Sequence, residues 1–181
     1  TTPSTTSSMD QYQYRALFAN VAGSVTSSSA TLTVYSPPVI VLQPQSQTVP
    51  SGTVVTFVAA ATSTPSAVVQ WQQSVDGGLS WNTITGATST SYSVTASAVL
   101  DTVQYRAVFT NIAGSTNTTA AILTVQFAPI ITQQPVNAAA SSGSTATFTA
   151  SSIANPSATV QWQLSTNGGS SWSNITGATS T

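Results

Sequence analysis

Asp101-Thr102-Val103-Gln104-Tyr105-Arg106-Ala107 is the stretch on which the reading of this chain turns. In an extended backbone successive side chains point to opposite faces, so Tyr105 and Arg106 lie on opposite sides of one strand. The centre of the stretch occurs twice: Gln13-Tyr14-Arg15-Ala16 repeats Gln104-Tyr105-Arg106-Ala107 at a step of 91 residues (13 to 104). Gln70-Trp71-Gln72 returns as Gln161-Trp162-Gln163 at the same step, as do Gly52 with Gly143, Gly23 with Gly114 and Pro44 with Pro135. An offset that does not drift marks a tandem repeat, and it sets the architecture before any local reading.

The phase of the repeat divides the chain into a C-terminal half repeat (1–36), a complete repeat (37–127) and an N-terminal half repeat (128–181). Within the complete repeat, Val39 to Gln43 reads as a short strand ended by Pro44, which suits a sheet edge. Pro50-Ser51-Gly52 turns the chain into Val54 to Ala59, where Val55, Phe57 and Ala59 share a face. Val68 to Ser74 carries Trp71. Asp76-Gly77-Gly78 is a hairpin signal, because glycine tolerates the positive φ of tight turns, and Trp81 to Thr85 returns from it. Asn167-Gly168-Gly169 repeats that turn, so Asp76 reads as a turn former and not as a ligand. Tyr92 to Thr95, Val103 to Thr110 and Thr119 to Gln126 complete an antiparallel β-sandwich in about 90 residues.

Composition narrows the function. Hydrophobic residues make up 40% of the chain and charged ones 3%, with no His and no Cys. The charged residues are Asp10, Asp76, Asp101, Arg15 and Arg106. The commonest nucleophiles, general bases and soft metal ligands are therefore missing, and three scattered Asp cannot supply a carboxylate pair to each repeat. No catalytic, cofactor or metal residues are expected. A net charge of -1 without a basic cluster supplies no electrostatic term for nucleic acid. No apolar run approaches the roughly 18 residues of a membrane span. Ser and Thr make up about a third of the chain, a composition that alone would suit a disordered stalk, but periodic Trp, Phe and Tyr supply a core for each repeat.

The ordered motifs resemble the immunoglobulin domain, and in particular the cysteine-free, intermediate-set-like tandem repeats of bacterial cell-surface and extracellular proteins. Asp101 to Ala107 resembles the segment that enters strand F, with Tyr105 at the tyrosine-corner position and Ala107 where the second Cys stands. Val55 to Ala59 resembles strand B with Ala59 in place of the first Cys, and Trp71 occupies the place of the core Trp. Asn111-Ile112-Ala113-Gly114 and Ala121 to Val125 resemble the F–G hairpin and strand G. The resemblance implies tandem immunoglobulin-like β-sandwiches without disulfides, one complete and two half domains. Their core signature is Ala59, Trp71, Tyr105 and Ala107, with Tyr14, Ala16, Ala150 and Trp162 at the matching places. It also implies that the Tyr105 hydroxyl bonds backbone at the corner.

Trp81 and Trp172 are candidates for a sugar-stacking platform amid Gln72, Gln73 and Asn82, or for packing on their own sheet or a neighbouring domain. Arg106 is a candidate partner for Asp101, or an inter-domain contact. Asn117-Thr118-Thr119 and Asn174-Ile175-Thr176 fit the N-glycosylation pattern. These features favour a non-enzymatic structural protein, a bacterial extracellular or cell-surface stalk or filament. The alternative is an adhesin or glycan-binding module. The expected partner is the chain itself: Thr181 matches Thr90 and Thr1 matches Tyr92, so successive copies would omit only the counterpart of Ser91. The half repeats would thus be completed by covalent continuation or by a neighbouring copy.

Overall fold

The computed structural model describes residues 4–181; Thr1, Thr2 and Pro3 lie outside the described residues, and with them the expected match of Thr1 to Tyr92. The described chain is all-β, relieved by two single-turn 3-10 helices, Ser7–Met9 and Ala98–Leu100, at corresponding places of the repeat. It divides into two compact units, one made of Thr1–Gln47, Val54–Val94 and Thr102–Thr124, the other of Thr48–Thr53, Thr95–Asp101 and Val125–Thr181.

The first unit holds an immunoglobulin-like sandwich. On one sheet the strand Val68–Ser74 lies between Asn82–Thr83 and Gln104–Asn111, and the latter pairs in turn with Gly114–Asn117 and with Ala121 and Ile122. On the other side Val54–Val58 pairs with Ser91–Thr95, and Ser36–Leu42 pairs antiparallel with Ala60–Thr64. Alternation decides the faces: Val55 and Phe57 are buried while Val54, Thr56 and Val58 are exposed. Phe57 crosses to the opposite sheet, its ring 6.4 Å from Trp71 and 4.9 Å from Tyr105. Ala59, Trp71, Tyr105 and Ala107 are each 0% exposed, so the two small residues leave room for the indole at the centre of the core.

Several elements differ from their sequence reading, among them the strand expected over Trp81 to Thr85, which is present only at Asn82–Thr83. The strand entering Ala59 stops at Val58 and resumes at Ala60–Thr64 with a different partner. The strand expected over Val39 to Gln43 starts earlier and ends one residue sooner, at Ser36–Leu42, and a further strand, Gln47–Pro50, follows Pro44. The last strand begins at Ala121 and runs to Gln133, while Thr119 lies outside it in the connection from Gly114–Asn117.

The Tyr105 hydroxyl is also placed differently from the expectation. Its oxygen is buried and has no hydrogen-bond partner among the described residues, because the ring stacks inside the core between Phe57 and Tyr92, 5.6 Å away. Desolvation, with Tyr92 adding to it, pushes its pKa up to about 12. The corner is tied instead by a carboxylate. Asp101 Oδ1 accepts the Val125 N–H at 2.8 Å.

The second unit contains that tie and the later half repeat. The Asn155 amide donates to both Asp101 carboxylate oxygens, at 3.3 and 3.4 Å, and to the Val125 carbonyl at 3.0 Å. Beyond Val125 the strand pairs with Ser151–Asn155, from Phe127 opposite Asn155 to Gln133 opposite Ser151. Gln163–Leu164 and Ser173–Asn174 form a hairpin of their own.

Each half repeat keeps the local geometry of the complete one. In the earlier half, Asp10 Oδ1 accepts the Val34 N–H at 2.8 Å, Gln11 has φ 67° as Thr102 has 65°, and Leu17–Asn20 pairs with Gly23–Thr26. In the later half, the Trp162 indole donates to the Ser180 carbonyl at 2.8 Å, as Trp71 does to Ser89 at 2.9 Å. Burial is what the halves lack: Tyr14, Phe18 and Phe148 are 37%, 63% and 49% exposed.

Candidate functional face

The outer face of the complete repeat gathers Gln72, Trp81, Gln104 and Arg106. Strand register sets Arg106 opposite Gln72, and the Arg106 Nε–H donates to Gln72 Oε1 at 2.9 Å. The guanidinium carbon lies 4.1 Å from the centroid of the Trp81 ring, a cation–π arrangement that contributes about 0.5–2 kcal/mol according to its desolvation. Partial burial lowers the Arg106 pKa from its ordinary value, which does not threaten a charge that starts so high.

The hairpin delivers Trp81 to that place. Asp76 accepts the Ser80 N–H at 2.9 Å together with the Ser80 and Ser74 hydroxyls. These bonds, Ser80 first, hold its carboxyl well below the usual carboxylate range. Ser74 Oγ accepts the Gly78 N–H at 2.8 Å, and the Trp81 indole N–H donates to the Gly78 carbonyl at 3.1 Å. Gly78 has φ +94°, and a Cβ there would lie 3.2 Å from Gln104 Oε1 and 3.7 Å from the indole. Only glycine meets both conditions.

Trp81 is therefore fixed at its N–H and covered on one face by the guanidinium, and it is half-buried. Arg106 does not meet Asp101, contrary to the sequence expectation: the aspartate accepts the Val125 N–H, and the arginine is held by Gln72 on the outer face. Trp172 sits on the corresponding hairpin of the later half repeat, with Ser165 Oγ accepting the Gly169 N–H at 2.8 Å and Asn167 Oδ1 accepting the Ser171 N–H at 3.0 Å. It is 61% exposed, and it borders a groove of about 410 Å³ lined also by Ala150, Val160, Gln161, Trp162 and Gln163. Of the remaining signature residues, Ala150 and Trp162 are half-buried and Ala16 is exposed.

Three participants escaped the sequence reading. Gln104 and the Arg106–Gln72 pairing depend on register between strands more than 30 residues apart in sequence (72 to 106). Asn155 meets Asp101 across 54 residues. The recurrence of Gln72 as Gln163 beside Trp162 was the signal available for the first. Of the two glycosylation patterns, the first contains Thr118, which is 5% exposed and whose hydroxyl accepts the Ala107 N–H at 2.9 Å.

Chemically the face offers a fixed cation, an indole and two amides. No group of three or more His, Cys, Asp or Glu that could hold a metal ion occurs among the described residues, and no described helix is long and apolar enough to cross a membrane.

Comparison with known proteins gives one family match and several relatives. Residues 42–129 match the family described as a domain of unknown function (DUF8696). Endoglucanase C of Cellulomonas fimi is 43% identical over 122 residues, covering 67% of this chain and 11% of that protein. Roundabout homolog 1 of Rattus norvegicus is 29% identical over 167 residues, 85% of this chain and 10% of that protein. The chain thus spans about a tenth of the length of the curated relatives it matches. Among solved structures, the N-terminal four Ig domains of Dscam1 isoform 7.44 align with TM-score 0.47 and 24% identity over 64% of this chain and 27% of that one. The titin domains z1z2 in complex with telethonin align with TM-score 0.40 and 27% identity over 63% and 60%.

Proposed function

We propose that this chain is a non-catalytic segment of an extracellular or cell-surface array, a stalk or filament of head-to-tail immunoglobulin-like domains. One observation carries the reading: the charged groups of the complete repeat are engaged in local structural contacts. Asp101 ties the corner, Asp76 closes a hairpin, and Arg106 lies on Trp81 and Gln72. A side chain engaged in this way is a poor acid, base or nucleophile, since catalysis needs a group within reach of substrate and poised near the working pH. The recurrence of the same local geometry at a constant step of 91 residues (13 to 104) supports an array of like domains. The Cellulomonas fimi relative, matched over 11% of its length, supports a bacterial origin and an accessory place beside other domains. Electron microscopy of the assembled protein is expected to reveal strings of domains; a compact monomer at every concentration overturns the reading.

A second reading, a glycan-binding accessory domain, is favoured by the name of that same relative and by the exposure of Trp172. It requires retention on an insoluble or soluble glucan that falls at least tenfold in Trp172→Ala, about the loss of one sugar–indole stack. Equal retention of the variant, or none by the unaltered chain, removes it.

A further inference from the structure

We propose that Asn167 is a modification site: it deamidates in the folded chain, and the aspartate so formed is held in its hairpin as Asp76 is held in the complete repeat. Asn167 is the one asparagine of eight that precedes a glycine. Asn155 precedes proline, which has no N–H to act as a nucleophile, and the other six precede Ala, Thr, Val or Ile, whose side chains crowd the attacking nitrogen. Gly168 has no side chain, and it is exposed together with Asn167, as Gly77 and Asp76 are in the complete repeat. The exposure therefore belongs to the turn and not to the half repeat that carries it.

Water is the only co-reactant. The Gly168 nitrogen, having given its proton to hydroxide, attacks Asn167 Cγ; the N–Cγ bond forms, the Cγ–Nδ2 bond breaks, and Nδ2 leaves as ammonia. Water then opens the cyclic imide, at Cγ to give aspartate or at the backbone carbonyl to give isoaspartate. Two features of the hairpin favour the attack. The Ser165 O–H at 2.9 Å and the Ser171 N–H at 3.0 Å both donate to Asn167 Oδ1, the atom on which negative charge gathers as Cγ becomes tetrahedral. Asn167 Nδ2 lies 2.8 Å from Ser171 Oγ, a hydroxyl placed to hand a proton to the departing nitrogen.

A third feature favours the product. In the complete repeat the matching groups hold a carboxylate: the Ser74 O–H at 2.7 Å and the Ser80 N–H at 2.9 Å donate to Asp76 Oδ1, and the Ser80 O–H donates to Oδ2. Bonds to an ionised acceptor are stronger than neutral ones, and these hold the Asp76 carboxyl well below its usual range. At position 167 the amide obliges the Ser171 hydroxyl to accept from Nδ2 instead. A donor set suited to an anion thus holds a neutral side chain, and conversion lets that hydroxyl turn round and donate. The change adds one negative charge to a chain whose net charge is -1.

The test is incubation of the 181-residue chain at mildly alkaline pH, folded and in urea, followed by isoelectric focusing and by mass spectrometry of its peptides. In the folded chain a more acidic species is expected to accumulate, with the conversion at Asn167 ahead of every other asparagine. Asn167→Gln, whose imide would be a larger and slower-forming ring, should lose that species. The share of aspartate over isoaspartate at this position should be higher from the folded chain than from the chain in urea, because only the folded hairpin presents its donors to the new carboxylate. An Asn167 that stays intact in the folded chain while it converts in urea overturns the inference. So does an acidic species that persists in Asn167→Gln, or one product ratio in both conditions. Peptide mapping of the unaltered chain reads the site directly, so a variant that disturbs the hairpin leaves the test in force.

Discussion

Trp71 and Trp162 share a local setting and differ in surroundings. Each indole N–H donates to a carbonyl 18 residues on, Ser89 for one and Ser180 for the other, and each backbone N–H bonds the carbonyl of an alanine, Ala87 or Ala178. Yet Trp71 is 0% exposed while Trp162 is half-buried. The difference lies in the Gln104–Asn111 strand, which covers the first and has no counterpart over the second among the described strand pairs. Hairpins, corner ties and glycine turns are thus specified locally and survive without the rest of the domain. The core is specified by strand pairing at long range, and it does not.

The largest effect that can break this comparison is expected from the two tryptophans themselves. Trp71→Ala removes a fully buried indole, at a cost of about 3–5 kcal/mol, a large part of the 5–15 kcal/mol typical of a domain. In denaturant titration followed by circular dichroism, the midpoint should fall steeply. Trp162→Ala should move the same midpoint little at dilute concentration, since its face is open. Equal effects of the two substitutions would mean that the later half is packed as fully as the complete repeat.

A smaller effect separates the two corners. Asp101 accepts the Val125 N–H and both contacts of the Asn155 amide, whereas the Asp10 carboxylate accepts the Val34 N–H. Losing a hydrogen bond to an ionised group in a partly buried site costs about 1–3 kcal/mol. Asp101→Ala is therefore expected to lower the main melt and to speed amide exchange at Val125 and in the strand beyond it. Asp10→Ala should speed exchange at Val34 and leave the main melt in place, because its half repeat contributes little buried core. Equal shifts of the main melt would mean that the earlier half already belongs to the cooperative unit.

The same division explains what was legible in the sequence. The 91-residue step (13 to 104), the Asp76-Gly77-Gly78 turn and the alternation of Val55 and Phe57 are written in neighbouring residues, and the strands they mark are present. The break at Ala59 was not legible, because Ala60–Thr64 leaves the partner of Val54–Val58 for Ser36–Leu42, a choice made by pairing rather than propensity. Nor was the destination of Asp101, whose partner Asn155 lies in the next repeat. The outer face was half legible: Trp81 stood out by type, but the arginine covering it depends on register between two strands.

Tyr105 and Tyr14 give the smallest and most discriminating contrast. They occupy the same place in the repeat, but the Tyr105 hydroxyl is buried with no partner among the described residues, while Tyr14 is 37% exposed. A buried, unpartnered hydroxyl costs about 1–3 kcal/mol in desolvation, against which removal of its oxygen forfeits some packing. Tyr105→Phe is therefore expected to leave stability unchanged or to raise it by up to about 1 kcal/mol near neutral pH, and Tyr14→Phe to do nothing. Alkaline titration isolates the cause. The folded pKa is raised to about 12 from an ordinary 10.0, so between those values the unfolded chain has lost a proton that the folded chain retains, and stability falls as pH rises. Below pH 10 both states keep the proton and this dependence vanishes. Tyr105→Phe should lessen the loss between pH 10 and 12, leaving the part that comes from Tyr92, whose pKa burial also raises. A destabilised Tyr105→Phe at neutral pH would instead place the hydroxyl in a bond that holds the core together.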